Sequence, residues 1–230
     1  NIMALEIKKT QDESKSTKTT STNPSNNRVH FILDESGSMN SCWDATIDGF
    51  NEYINGLQND KNGNKYSVSL TKFEGGNIET VFSEVAVQDV EPLTRETYTP
   101  CGGTNLNDAI GVTMTSMKKN KLRGKHNTLV IIMTDGWENM SKEWTPDSVS
   151  TLVKAQEKDG WTVTFLGANI DTAKVSKSYA IREGNAKSYS TANMAGTMRG
   201  LSAATTAYAA SATVGASMDS FYAGTGDWTA

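Results

Sequence analysis

The residues best placed to do chemistry are Asp34, Ser36 and Ser38, in the run Val29-His30-Phe31-Ile32-Leu33-Asp34-Glu35-Ser36-Gly37-Ser38-Met39. One carboxylate and two neutral hydroxyls at two-residue spacing are all hard oxygen donors. That set suits Mg²⁺ or Mn²⁺ and does not suit Zn²⁺, which prefers nitrogen and sulfur. A plainer use of the same residues is capping, with Asp34 and the serines satisfying the free N–H groups of a helix. A second carboxylate, Asp135, closes another apolar run and is followed by Gly136. That pair also reads as an ordinary turn.

These groups meet only if strand ends are brought together. An apolar run closed by polar, glycine-containing residues reads as a buried strand entering a tight turn. The first strand is expected over 28–34. Trp43, Ile47, Phe50, Ile54 and Leu57 then recur at steps of four and three, the stripe of an amphipathic helix. Residues 66–73 alternate as a strand, Glu74-Gly75-Gly76-Asn77 is a hairpin turn, and 78–82 pairs back as an antiparallel edge strand. A crossing segment over 85–93 leads to a glycine-rich loop, Gly102-Gly103-Thr104, and a helix carrying Leu106, Ile110, Met114 and Met117. The basic stretch 118–125 is read as a solvated loop at the far end of the sheet. The continuous apolar run 128–134 is a central strand ending at Asp135. Thr145-Pro146-Asp147 opens the next helix with a capping hydroxyl and proline at its first position. A strand over 161–166, a short helix from Asp171, an edge strand over 186–189 and a mostly helical, alanine-rich segment from 191 to about 217 complete the pattern. Strands alternating with helices imply an α/β, doubly wound, mostly parallel sheet with helices on both faces. In such folds ligands bind beyond the carboxyl ends of the strands, where Asp34, Ser36 and Ser38 would share a crevice.

The 230 residues suit one α/β domain: an N-terminal arm over 1–27, a domain over 28–217 and a tail over 218–230. The arm is polar and flexible by composition. The tail's Phe221, Tyr222 and Trp228 either dock elsewhere or fold back onto the domain, and the second reading is preferred. A net charge of −4 argues against nucleic-acid partners. Two cysteines, Cys42 and Cys101, are too few for a disulfide framework and suit a reducing compartment. With no secretory signal and no apolar run of membrane-spanning length, a cytoplasmic location is expected, with Met3 read as the native start.

Asp34-x-Ser36-x-Ser38, Thr104 after its glycines, and Asp135 in Thr134-Asp135-Gly136 occur in that order, each at the end of a strand–helix unit. Together they resemble the metal-ion-dependent adhesion site of von Willebrand factor A domains, over about 28–189. The wider runs Asp34-Glu35-Ser36-Gly37-Ser38-Met39 and Phe165-Leu166-Gly167-Ala168-Asn169-Ile170-Asp171 are similar to small intracellular members from bacteria and tailed phages. The resemblance implies Mg²⁺ or Mn²⁺ bound directly by Ser36, Ser38 and Thr104, and directly or through water by Asp34 and Asp135. Hydroxyls add no charge, so such an ion stays electrophilic, and an Asp or Glu from a protein partner can replace one of its waters. Trp137 departs from the small or acidic residue expected after Asp135-Gly136 and puts a bulky ring at the rim. Asp108 and Asn105 are read as capping or supporting residues, and Glu35 as an exposed rim residue.

The implied function is metal-dependent protein recognition without catalysis. A serine hydrolase is excluded by the absence of G-x-S-x-G and of a well-placed histidine, and a P-loop enzyme by the absence of its motif. Two alternatives stay open. One is a Mg²⁺-dependent hydrolase, with Glu35 or Glu138 as the only bases in view. The other is a structural protein with a vestigial metal site.

Overall fold

The computed structural model describes residues 27–120, 126–212 and 216–229. The expected arm up to residue 26, and most of the basic stretch after Asn120, lie outside the described residues. The strand β1 (Asn27–Asp34) is buried along its whole length, Asn27, Arg28 and His30 included, as a central strand covered on both faces requires. It is followed by α1 (Trp43–Gln58), β2 (Tyr66–Glu74) and β3 (Asn77–Ala86). Then come α2 (Leu106–Lys119), β4 (Asn127–Thr134), α3 (Pro146–Lys158), β5 (Trp161–Gly167), α4 (Thr172–Ser178), β6 (Ala186–Ser188) and α5 (Met194–Ser211). The strands lie in the order β3-β2-β1-β4-β5-β6. All neighbours run parallel except β2 and β3.

The fold class read from the sequence therefore holds: a mostly parallel sheet with one antiparallel edge strand and helices on both faces. Gly75 and Gly76 both take positive φ (47° and 107°), the backbone a two-residue hairpin turn demands, and this sets β3 back against β2. β3 runs on to Ala86 and takes in the start of what reads as a crossing segment. α5 stops at Ser211, several residues before the expected 217. Alanine propensity favours helix there, but the chain turns extended at Ala212 and the tail packs across the helix. Phe221, Tyr222 and Trp228 are buried in the core under α1 and α5, and Trp228 sits against Gly200, where a Cβ would come within 2.5 Å of its ring.

The two faces of the sheet carry separate cores. Val29, Phe31 and Leu33 of β1 point to the α1–α5 side, while Ile32 points to the α2–α3 side. α1 approaches α5 closely through Gly49 and Gly56, where a Cβ would lie 2.8 Å from Met198 and 2.1 Å from Ser202.

His30 lies on the α2–α3 face, buried, with Nε2 2.8 Å from Thr71 Oγ1. Burial, aided by the Arg28 charge, pushes its pKa down to about 3. Its folded value lies below its unfolded one, so its contribution is complete above about pH 6.5 and is lost as pH falls toward the folded value. His30→Gln should remove a stability slope of about 1.4 kcal/mol per pH unit between pH 6 and 4. Urea melts of wild type and variant across that window measure it, and parallel pH profiles would contradict it.

Candidate metal centre

The strand order reverses direction of travel at β1: β2 lies on one side and β4 on the other. Such a switch point opens a crevice beyond the strand ends. Asp34 is the last residue of β1, and Asp135 follows the last residue of β4. Parallel register sets Leu33 against Met133, so Asp34 stands opposite Thr134. Thr134 Oγ1 donates to Asp34 Oδ2 at 2.5 Å, and the Ser36 backbone N–H donates to Oδ1 at 2.7 Å. Asp34 is thus held immobile, with no exposed surface.

Ser36 Oγ and Ser38 Oγ are 3.1 Å apart, and Ser38 Oγ donates to Asp135 Oδ1 at 2.5 Å. Adjacent ligands of an octahedral Mg²⁺ with bonds near 2.0–2.1 Å are about 2.9 Å apart, so the serine separation is close to one edge of that octahedron. Gly136 lies over the same hydroxyls. A Cβ there would be 3.1 Å from Thr104 Oγ1, 3.3 Å from Ser38 Oγ and 4.0 Å from Ser36 Oγ. Residues from three separate stretches of the chain, Ser36 and Ser38, Thr104, and Asp135 and Gly136, therefore converge on one cradle.

Thr104 is brought in by the glycine-rich loop, which is stitched to both neighbours. Cys101 N–H donates to Glu35 O, Gly37 N–H to Gly102 O and Gly75 N–H to Gly103 O. Gly102 has φ +63°, and a Cβ there would fall 2.9 Å from the Gly75 Cα, so only glycine permits this crossing. On its other side Thr104 is clamped by the loop after Asp135. Asn139 and Met140 N–H donate to Thr104 O, and Thr104 N–H donates to Asn139 Oδ1 at 2.9 Å.

Glu35 corrects an expectation. It is not an exposed rim residue; it is buried, with its carboxylate 2.9 Å from Lys72 Nζ and accepting the Thr99 N–H. Lys72 also donates to Thr97 O at 2.6 Å. The charge is tolerated inside because β2 brings a cation to it, and no local pattern announces that pairing. Asp108 is a supporting residue as expected: its carboxylate accepts the backbone N–H groups of Lys142, Glu143 and Trp144. Glu138 accepts from Met140 N, Ser141 N, Ser141 Oγ and Asn107 N. The sequence reading missed Lys72, Asn139, Thr134 and Tyr98, whose hydroxyl donates to Asp34 O at 2.7 Å. Each acts across the fold, and only Thr134 and Asn139 carry a signal, their nearness to Asp135.

The electrostatics agree with a cation site. Burial raises the Asp34 pKa to about 6 against the opposing bonds from Thr134 and Ser36, and the neighbouring Asp135 charge raises it further. Burial also raises Asp135, opposed by the Ser38 hydroxyl. Among the described residues no three His, Cys, Asp or Glu side chains gather into a metal-binding group. The oxygen donors here are mostly hydroxyls, which fits a hard ion that keeps some of its waters.

Residues 29–138 match the family profile of the von Willebrand factor type A domain. Those residues are therefore a von Willebrand factor type A domain. Three solved structures share the fold of this A domain. The pilus adhesin SpaC from Lactobacillus rhamnosus GG is 13% identical, with a TM-score of 0.58 over 83% of this chain and 31% of its own. Proximal thread matrix protein 1 from the mussel byssus, solved with a zinc-occupied MIDAS motif, is 14% identical, with a TM-score of 0.56 over 80% of this chain and 46% of its own. The manganese-loaded TRAP protein of Plasmodium vivax is 18% identical, with a TM-score of 0.50 over 69% of this chain and 64% of its own. The A domain thus spans less than half of the mussel protein and of the adhesin. No curated protein matches it by sequence.

Gly136→Ala tests the cradle directly. Gly136 has no positive φ, so alanine is conformationally permitted, but its methyl enters the space among Thr104, Ser38 and Ser36. The variant should melt like wild type in EDTA and bind Mg²⁺ at least about tenfold more weakly, about 1.4 kcal/mol. Isothermal titration with Mg²⁺ reads this, and equal heats for both proteins would mean that this cradle is not a Mg²⁺ site.

Proposed function

We propose that this A domain is a metal-dependent docking module. Ser36, Ser38 and Thr104 hold Mg²⁺ or Mn²⁺ directly, Asp34 and Asp135 hold it directly or through water, and an Asp or Glu of a protein partner completes the coordination. The observation that carries the reading is the convergence of Ser36, Ser38, Thr104 and Asp135 around Gly136, above a buried Asp34. Bound there, the ion supplies a positive pole that a partner carboxylate can reach. The zinc and manganese named for two structural neighbours support a divalent ion in this fold. The all-oxygen donor set favours Mg²⁺ or Mn²⁺ over zinc here.

The module is non-enzymatic in this reading. A hydrolase would need a free base beside the ion, and the two glutamates read as candidate bases, Glu35 and Glu138, are both engaged. Glu35 is paired with Lys72, and Glu138 accepts four hydrogen bonds from the loop it organises. No helix among the described residues is long and apolar enough to cross a membrane. Two free thiols, Cys42 and Cys101, fit a reducing, cytoplasmic setting.

The test is retention of partners from a lysate of the source cells on immobilised wild type and Thr104→Ala, in Mg²⁺ and in EDTA. A docking module retains its partner on wild type in Mg²⁺ and at least about tenfold less in EDTA or on the variant. A partner held equally in all four arms would make the site vestigial.

A further inference from the structure

Three large hydrophobic side chains are exposed among the described residues: Val112 (41%), Trp137 (53%) and Met140 (37%). Two of the three lie in one short loop at the metal centre. Trp137 directly follows Gly136, and Met140 lies against the glycine-rich loop, its Cγ 2.5 Å and Sδ 3.3 Å from where a Cβ on Gly103 would stand.

This exposure is imposed by the fold. The loop is pinned from both ends. The Glu138 carboxylate takes the N–H of Met140 and Ser141 and ties them to Asn107 at the start of α2. The Asp108 carboxylate takes the next three backbone N–H groups, and Trp144 closes the loop by packing on Gly111, where a Cβ would fall 2.0 Å from its ring. Asn139 and Met140 are bonded to Thr104 itself. The backbone that follows Trp137 is therefore fixed, and the ring stands in solvent at its edge. An apolar pair kept in solvent beside a coordination position marks a contact surface, and tryptophan is the side chain that most often dominates such contacts. Because the loop is already ordered, a partner meeting it loses little further conformational freedom.

The geometry points to a specific occupant: a partner segment whose metal-binding Asp or Glu stands within two residues of a large apolar or aromatic side chain. The carboxylate completes the ion, and its neighbour packs on Trp137 and Met140. The ring of Trp137 and the thioether of Met140 both favour an aromatic there. This inference rests on the docking reading and adds the residues that select among acidic partners.

The probe is a displayed library of randomised peptides with a fixed central Asp. It is selected on wild type and on Trp137→Ala/Met140→Ala, each in Mg²⁺ and in EDTA. Both replaced side chains are solvent-exposed, and Mg²⁺ titration checks that the variant keeps the ion. Wild type in Mg²⁺ should enrich aromatic or large apolar residues within two positions of the Asp at least tenfold over the variant. Peptides enriched in Mg²⁺ with no flanking preference would overturn this inference and leave the docking reading standing. Aromatic-flanked peptides selected equally in EDTA but lost on the variant would support the apolar contact and overturn the metal reading. Failure to enrich any peptide on wild type in Mg²⁺ would overturn both.

Discussion

In EDTA, Asp34→Asn is expected to be at least as stable as wild type, and in Mg²⁺ clearly less stable. Asp34 is a carboxylate with no exposed surface, close to the buried Asp135. Without a cation, holding it ionised in that position is unfavourable. Asparagine removes the charge and keeps the contacts. Its carbonyl still accepts the Ser36 N–H, and its amide donates to Thr134 Oγ1, which turns its own proton to Gly136 O, 3.2 Å away. The cation reverses the comparison. A ligand bound only by the folded state adds about 2.7 kcal/mol at a hundred times its Kd. For a domain of this size that raises the melting temperature by roughly 5–10 °C. Wild type should show that rise and Asp34→Asn should show none. Thermal melts in EDTA and in millimolar Mg²⁺ measure both halves. A variant less stable than wild type in EDTA, together with no Mg²⁺ response in wild type, would mean that Asp34 serves structure alone.

Lys72→Ala should cost about 3–5 kcal/mol, the loss seen when one member of a buried ion pair is removed and its partner is left uncompensated. The side chains of Lys72 and Glu35 are only 7% and 5% exposed. Glu79, the other acid within reach of Lys72 at 3.6 Å, is well exposed and stays solvated without it. The effect should reach the metal centre, because Lys72 also holds Thr97 O in the segment that leads to Thr104. Mg²⁺ affinity should therefore fall along with stability. The combination Lys72→Met with Glu35→Gln should recover most of the loss: the charges disappear together, and the glutamine carbonyl still accepts the Thr99 N–H. Urea denaturation of the two variants separates the terms. A cost under about 1 kcal/mol for Lys72→Ala is what an exposed pair gives and would contradict the burial argument.

The two results bear differently on function. In the proposed docking module Asp34 is part of the metal site, and its removal should abolish docking without unfolding the domain. Lys72 never approaches the proposed ion and acts by positioning the loop of Thr104. Loss of docking in Lys72→Ala would be an indirect, positioning effect, and recovery in the double variant traces it to the uncompensated Glu35 charge.

The alternation of strands and helices is legible in the sequence alone, because period and run length survive without partners. The stripe from Ile47 to Leu57 and the unbroken run before Asp135 need no tertiary knowledge to be read. The sequence also singled out Asp34, Ser36, Ser38, Thr104 and Asp135 as a candidate site, through the order of three short motifs at strand ends and their resemblance to one family, and the fold brings them to one crevice. Tertiary structure decided everything that depends on a partner distant in the chain. Glu35 looked like a rim residue because its burial rests on Lys72, 37 positions away on another strand. The Thr134 hydroxyl could be assigned to Asp34 only once β1 and β4 lay in register. Alanine propensity carried α5 too far on paper, because nothing local reveals that Phe221, Tyr222 and Trp228 will pack back across it. The bulk of Trp137 was legible, but its exposure was decided by the carboxylates of Glu138 and Asp108, which hold its loop open. Periodicity encodes which face of an element is apolar. Charge pairing, register and loop posture are set by contacts between elements, and those exist only after the chain has folded.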